Sequence, residues 1–450
     1  MKARNRPAQG GARNYEFYIL AVLLILVGLL GGSARSDVAG LVVLLPVAIS
    51  TAFWALTQYS VDELRRYRWL LIGVCMPLLL AALHLLPLPP EIWRGLPGRE
   101  IIARIDAFNG VPDLWRPLSI SPKDSLYSLF FCFVPLSVFL YVLHLGPAFD
   151  RKIAAVLAII IGLGIVVSIL QAVGVSIKLY RYNSEMSGIF ANRNHQAVLL
   201  SVSVLFLPFV YQKARHLDQY RIPLILAAIV YILLIAVLLL INGSRMGLIT
   251  FVVALVLAPF VDRSILRSGK GHFRKAGGVL IGAAVLAVVT FAVFILFTAR
   301  DVTFARIVGG LDSSRLDVWQ SIVAALPDVM PWGTGVGTYV AGYQAIEPGA
   351  LLSPSYSNHA HNDWLELVFT TGVPGLVLAV LAISAYSRGW MRELSAGRRA
   401  DPAKRLGLMC LLVLAIASMT DYPLRTPLIA AVAAIAAAWA ARPTGSPVKP

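Results

Sequence analysis

Hydrophobic and polar positions fall along this chain in long blocks rather than in short periods. Twelve apolar runs stand near 16–33, 38–57, 69–88, 124–145, 152–173, 194–211, 222–241, 246–261, 277–298, 363–386, 405–419 and 427–441. A helix needs roughly 20 apolar residues to cross the hydrocarbon of a bilayer, and most of the runs approach that length. Only Asn242-Gly243-Ser244-Arg245 parts the seventh from the eighth; without it the two would read as one stretch. The last two runs are short and predict tilt or local thinning of the bilayer. The pattern predicts an all-α polytopic membrane protein, with about twelve transmembrane helices in a single integral membrane domain over 1–450. The first run follows Lys2, Arg4, Arg6 and Arg13 and precedes Gly31-Gly32-Ser33-Ala34, which also suits a signal peptide. Its length and the second run close behind it favour an uncleaved helix.

Two of the intervening segments are large and lie on the same predicted side. In the first, 89–123, Ile101, Ile102, Ile105 and Phe108 recur at helical spacing beside Arg99, Arg104 and Asp106. That spacing predicts a helix lying in the membrane interface. In the second, 299–362, Asp312-Ser313-Ser314 starts a helix with Leu316, Trp319, Val323 and Leu326 on one face, and Pro327 ends it. Gly333-Thr334-Gly335-Val336-Gly337 then reads as a flexible turn; it lacks the strand context and the lysine of a nucleotide-binding loop. No internal repeat is evident.

Composition agrees with the pattern. Of 450 residues 58% are hydrophobic and 14% charged, with a mean hydropathy of +0.75, which excludes a soluble enzyme. The net charge of +16 would suit nucleic acid, but its placement is a topology signal instead. With the N-terminus in the cytoplasm, the short inner segments hold 25 of the 39 basic residues, in dense groups such as Arg65, Arg66 and Arg68. No nucleic-acid partner is expected. Cys75, Cys132 and Cys410 all lie in apolar runs, too scattered for a metal site or a disulfide framework.

Candidate chemistry gathers on the outer side. Asn358-His359-Ala360-His361-Asn362-Asp363-Trp364-Leu365-Glu366 packs six polar or ionisable side chains into the end of the second large segment and the start of an apolar run. Histidine exchanges protons near neutral pH, so His361, with His359 and Asn362 as secondary candidates, forms a potential acid/base site. The bland readings are a capping or packing role for His361 and a plain loop role for His359. His195 reads as a polar residue at a helix end. The His359-x-His361-x-Asp363 spacing is a poor zinc signal, since zinc catalysis uses three ligands on a rigid frame; no metal or other cofactor is expected. Four arginines share that side: Arg193 where the sixth run begins, Arg245 between the seventh and eighth, Arg315 at the head of the loop helix, and Arg425 between the last two runs. Charge at a membrane helix edge is costly and marks function by default, and guanidinium forks match phosphate oxygens. Three also have a bland reading: Arg193 as an interface anchor, Arg315 as a solvated helix residue, Arg425 as the partner of Asp421; Arg245 is harder to dismiss, because it closes a tight connection with apolar sequence on both sides.

These residues resemble the O-antigen ligase and polymerase superfamily. Asn192-Arg193-Asn194 matches its N-x-N motif, Ser244-Arg245 its S-R element, and Arg315-Leu316-Asp317-Val318-Trp319 its R-x-x-x-W helix. His361-Asn362 followed by the turn Gly372-Val373-Pro374-Gly375 matches its H-N and G-x-x-G pair, and Pro423-Leu424-Arg425 is similar to the tail of exopolysaccharide polymerases. The likeness is clearest over 185–380. It implies a lipid-linked-sugar glycosyltransferase architecture, GT-C-like, in the bacterial inner membrane, with the site facing the periplasm. It further implies an inverting, metal-independent transfer of a glycan from undecaprenyl diphosphate to an acceptor hydroxyl. Arg193, Arg245 and Arg315 would hold the diphosphate, and His361 would act on the acceptor. A surface-polysaccharide polymerase is favoured. A ligase using lipid A core is the alternative, and a lipid-linked oligosaccharide flippase is the alternative of another class. Membrane lipid and polysaccharide export or chain-length proteins would be further partners.

Overall fold

The computed structural model describes residues 9–181, 183–214, 221–262, 313–352, 356–395 and 401–442. The chain runs through α1 (Gln9–Leu30), α2 (Leu41–Gln58), α3 (Val61–His84), β1 (Pro87–Leu88), α4 (Pro90–Trp93), α5 (Glu100–Phe108), β2 (Arg116–Pro117), α6 (Pro122–Phe131), α7 (Phe133–Leu145), α8 (Asp150–Ala172), α9 (Arg193–Val204) and α10 (Phe206–Ala214). It continues through α11 (Arg221–Asn242), α12 (Arg245–Val261), α13 (Ser313–Val329), α14 (Tyr339–Gln344), α15 (Asp363–Ser395), α16 (Pro402–Ala417) and α17 (Pro427–Ala441). Strands β1 and β2 pair antiparallel, Leu88 opposite Arg116, and close the first large segment into a loop. Among the described residues eight helices are long and apolar enough to cross a membrane, and Arg245–Val261 and Pro427–Ala441 are shorter apolar helices. The protein is an all-α, multi-pass membrane protein. Eleven of the twelve expected runs fall on helices; the ninth, near 277–298, and the start of the second large segment, 299–312, lie outside the described residues.

Helix starts differ from the apolar runs where polar caps extend them. Helix α3 begins at Val61, not near 69, because Ser60 and Glu63 cap each other: Ser60 Oγ accepts from Glu63 N (3.2 Å) and Glu63 Oε2 accepts from Ser60 N (2.9 Å). Arg65, Arg66 and Arg68 therefore belong to the helix rather than to a loop. Pro327 lies inside α13, which runs on to Val329.

The core is organised around α7, whose residues from Leu136 to Leu145 are all buried. A helix apolar on every side is one enclosed by protein, and α7 packs against α1, α2 and α17. Helix α9 lies along α12, where Gly247 permits the approach: a Cβ there would stand 2.4 Å from Ala197 Cβ. Polar contacts separate the two ends of the bundle. At the lower end Asp150 of α8 accepts from Arg442 Nη1 (2.7 Å) and Trp439 Nε1 (2.9 Å), and Glu393 of α15 accepts from Arg405 of α16 (2.7 Å). Buried charge is tolerated when paired in this way. At the upper end the backbone carbonyls of Gly31 and Gly32, after α1, accept from Leu428 N of α17 and Ala191 N before α9 (both 3.0 Å). Asn242 Nδ2, ending α11, donates to Arg193 O (3.1 Å), and Asp363 N of α15 donates to Ser418 O (2.9 Å) after α16.

Helix α15 bends at Gly372, where φ is 57°. Pro374 has no N–H, so the Thr370 carbonyl four residues earlier loses its helical donor, while Val373 N turns to Pro331 O (2.8 Å). Thr334 N and Gly335 N supply the missing donors, to Phe369 O (3.1 Å) and Thr370 O (2.8 Å). A Cβ on Gly372 would stand 2.1 Å from Pro331 O. Gly372 to Gly375, expected as a turn, is thus a bend within one helix, and the Gly333–Gly337 segment is bonded into it. That segment also meets the first large segment and the end of α3: Ile120 N donates to Thr334 O (3.0 Å) and Val336 N to His84 Nδ1 (2.9 Å). The described parts of the two large segments form one cap over the upper end and fix the course of the first turns of α15. Within the cap α5 forms as expected but packs by its charged side. Arg99 and Asp106 are buried, against Leu118 O and Arg116, while Ile101, Ile105 and Phe108 are exposed.

Candidate active site at the upper end of the bundle

The residues before α15 are held from both sides. Trp319 Nε1 of α13 donates to Ala360 O (2.6 Å), Ala360 N donates to Glu366 Oε2 (3.0 Å), and Asp363 N is fixed on Ser418 O. Between these clamps His361 takes φ 50°. Left-handed backbone costs a non-glycine residue about 1–3 kcal/mol and persists only where the surroundings over-determine it. Asn362, a secondary candidate from the sequence, is occupied otherwise: its Oδ1 accepts from Trp364 N (3.1 Å) and Leu365 N (3.0 Å) and caps α15.

His361 Nδ1 lies 3.3 Å from Asp421 Oδ1. A carboxylate can only accept, so Nδ1 carries the proton and Nε2 of the neutral ring keeps its lone pair. Asp421 also accepts from Tyr422 N (2.9 Å) and from Asn194 Nδ2 in the first turn of α9. Burial pushes its carboxyl up, but the His361 hydrogen bond, with His195 and Arg315 close by, outweighs burial and holds it well below the usual carboxylate range. Tyr422 is the hub beside it. Its ring centroid is 4.3 Å from that of His359 and 4.9 Å from those of His195 and His361. Its hydroxyl accepts from Asn192 and Asn358 (both 3.3 Å). Burial, then the charge of Asp421, pushes the phenol up to about 12, so it stays a neutral hydrogen-bonding group.

A second cluster braces the first. Glu366, one turn into α15, accepts from His359 Nδ1 (3.0 Å) and from Ala360 N, and Arg425 Nη2 lies 3.5 Å from it. Arg425 Nε also donates to Asp363 Oδ1 (3.2 Å), whose other oxygen accepts from Ser418 Oγ (2.9 Å). Arg425 therefore does not pair with Asp421. The 3-10 turn Pro423–Arg425 carries it to the opposite side, where Asp363 and Glu366 share one face of α15. Burial lowers its pKa, but these two carboxylates outweigh that and raise it. His359, whose bland reading was a loop residue, is a strut between Tyr422 and Glu366.

The other arginines occupy the same end. Arg315 of α13 donates from Nη1 to Thr420 O (2.9 Å) and makes no ion pair among the described residues. Arg245 opens α12 after the cap Ser244, beside the first turns of α9; it is half-buried and likewise has no ion-pair partner among the described residues. Arg193 is half-buried, with its backbone N donating to Ser184 Oγ (2.7 Å). Hydrogen bonds link the α9 turn, the 418–425 connection, α13 and the start of α15. Arg245 joins them through the Asn242–Arg193 contact of its neighbouring turn rather than through its own side chain.

Asp421, Tyr422 and His195 carry more of this site than their sequence positions suggest. His195, expected as a polar helix-end residue, is 1% exposed and edge-on to Tyr422. The available signal was an acidic residue in a short connection between two apolar helices, in a chain with only 23 acidic residues. No curated protein matches the chain. The model of the O-antigen ligase family matches residues 230–380, which takes in Arg245, Arg315, His359 and His361 and stops before Asp421. Over that segment the chain is similar to the O-antigen ligase family, which supports the resemblance to the O-antigen ligase and polymerase superfamily.

Proposed function

We propose that the protein is a metal-independent, inverting glycosyltransferase of GT-C-like architecture, in the bacterial inner membrane, with the upper end of the bundle facing the periplasm. It moves a glycan from undecaprenyl diphosphate to a sugar hydroxyl and acts as a polymerase of surface polysaccharide. The observation that carries this reading is the Asp421–His361 pair at the same end of the bundle as Arg245 and Arg315, two half-buried arginines without carboxylate partners among the described residues. His361 Nε2 takes the proton of the acceptor hydroxyl as its oxygen attacks the anomeric carbon from the face opposite the leaving group. Asp421 stabilises the imidazolium that forms. The bond from that carbon to the diphosphate oxygen breaks, and its electrons remain on undecaprenyl diphosphate. Arg193, Arg245 and Arg315 bind that group and offset the charge that grows on it, as fixed cations do in a poorly hydrated site. Asp363 and Glu366 are committed to Arg425 and His359, so they shape the site rather than enter the chemistry. The exposed Ile101, Ile105 and Phe108 edge of α5 rests in the lipid interface.

The polymerase reading is favoured over the ligase reading because the Pro423-Leu424-Arg425 element, which resembles the tail of exopolysaccharide polymerases, is built into the site through Arg425 on Asp363. Reconstitution in proteoliposomes with undecaprenyl-diphosphate-linked repeat units, with and without lipid A core, tests it. Chain growth supports the polymerase and transfer to core the ligase; neither, with glycolipid movement across the bilayer, would support a flippase.

A further inference from the structure

A cavity of about 450 Å³ opens beside Tyr422, within the size range of small-molecule sites, roughly 300–1,000 Å³. Arg35, Asn192, His195, Tyr356, Asn358 and Tyr422 are among the residues that line it. Its walls come from four separate parts of the chain: the α1–α2 connection, the start of α9 with the residues before it, the residues leading to His361, and Tyr422 in the α16–α17 connection. The Arg35 guanidinium, held on Asp37 (2.7 Å), stands over the Tyr356 ring at 5.6 Å and ties the first of these walls to the third.

The second observation is His195. It is 1% exposed, lines the cavity, and has no hydrogen bond on either ring nitrogen among the described residues; Asp421 Oδ1, at 3.9 Å from Nε2, is too far for one. A buried polar group left without a partner costs about 1–3 kcal/mol, and natural structures rarely leave one without a reason. A neutral imidazole offers one donor and one acceptor. Two amides, of Asn192 and Asn358, and two phenols, of Tyr356 and Tyr422, sit on the same walls. Alternating donors and acceptors beside an aromatic ring are the complement of a sugar, whose hydroxyls both give and take hydrogen bonds and whose C–H faces are apolar.

We infer that this cavity is a saccharide subsite: it holds one sugar unit of a substrate next to His361, with His195 completed by the sugar's hydroxyls. The inference rests on the glycosyltransferase reading and deepens it. The sugar belongs either to the lipid-linked donor or to the acceptor; the chemistry is shared, and the test separates the sources.

The full chain is purified into lipid nanodiscs as wild type, His195→Gln and Tyr356→Ala. Tyr356 is 48% exposed, so its variant keeps the fold even if the buried substitution does not. Binding is measured for undecaprenyl diphosphate alone and for undecaprenyl-diphosphate-linked glycan from the source membranes, and donor and acceptor KM are measured during transfer. A donor subsite predicts that the variants bind bare undecaprenyl diphosphate like wild type and bind the glycan form about tenfold more weakly, the loss of one well-made hydrogen bond. An acceptor subsite predicts unchanged binding of bare undecaprenyl diphosphate, an unchanged donor KM and an acceptor KM raised about tenfold. Unchanged glycan binding together with unchanged acceptor KM overturns the subsite, as does an equal loss for bare and glycan-bearing lipid. A wild-type protein that binds neither lipid overturns the glycosyltransferase reading itself, and the subsite with it.

Discussion

Replacing Asp421 by asparagine isolates what its charge does. The carboxylate accepts from Tyr422 N (2.9 Å), Asn194 Nδ2 and His361 Nδ1 (3.3 Å). An amide in its place keeps its oxygen toward Tyr422 N and His361, because Asn194 can turn its own amide to accept from the new NH2 group. His361 then keeps Nδ1 protonated and Nε2 free. What disappears is the negative charge facing the imidazolium that forms during transfer. Two unit charges about 4 Å apart attract by about 4 kcal/mol at an effective dielectric near 20. His361's side chain is 28% exposed, so solvent screens part of this. A hydrogen bond to a charged group contributes about 1.5–3 kcal/mol, and we take that range. It corresponds to a fall in kcat of about 10- to 150-fold. The donor KM should hold or fall, because the change removes an anion near Arg315. The assay is initial-rate transfer in nanodiscs over a series of donor and acceptor concentrations, with abundance and melting checked alongside. A kcat within about twofold of wild type, or a loss confined to donor KM, would refute the dyad.

Four further outcomes follow from the same geometry. His361→Ala should cut turnover by at least about 10²-fold with donor binding largely kept, the lower bound for a general base; loss of donor binding instead would make His361 a phosphate ligand. Arg245→Lys should raise donor KM, and Arg245→Ala should raise it further, since lysine keeps the charge but not the planar fork; equal effects in a lipid-diphosphate binding assay would count against bidentate contact. Gly372→Ala should destabilise by about 2 kcal/mol or more, from a side chain at positive φ facing Pro331 O, and should lower the detergent melting temperature. Asp421's folded pKa is lowered, so its stabilising contribution is present above the unfolded carboxylate value near ~3.9 and is lost as pH falls through the folded one. Between pH 7 and pH 3 the wild type should therefore lose more thermal stability than Asp421→Asn.

The fold was legible where burial is set by chain length and composition. A bilayer imposes one length on every spanning helix, so the apolar runs located the helices without any tertiary information. Their ends were less legible, because caps and bends decide them. Ser60 and Glu63 extend α3 into a polar stretch that hydropathy treats as loop. At Gly372 a missing N–H and two displaced carbonyls produce a bend that looks like a turn in sequence. Only the folded cap reveals that Thr334 and Gly335 supply the lost donors, because that pairing joins residues far apart in the chain.

The candidate site is legible in sequence in its cations and its histidine, and for one reason. Charge at a membrane helix edge is expensive, so Arg193, Arg245, Arg315 and His361 stand out against an apolar background. Asp421 is equally costly there, but a nearby arginine supplied a ready local explanation. That explanation fails on geometry: Arg425 turns away to Asp363 and Glu366, which leaves Asp421 to His361. Sequence proximity suggested a pair, whereas the 3-10 turn between the two residues separates it. His195 is inconspicuous for the opposite reason, as one polar residue among several at a helix start. Its burial, and two ring nitrogens without partners among the described residues, are properties of the packed bundle alone. The residues that hold charge were visible from composition. The residues that orient charge, and the cavity that His195 lines, required the connection between α16 and α17 to be brought against α9 and the start of α15.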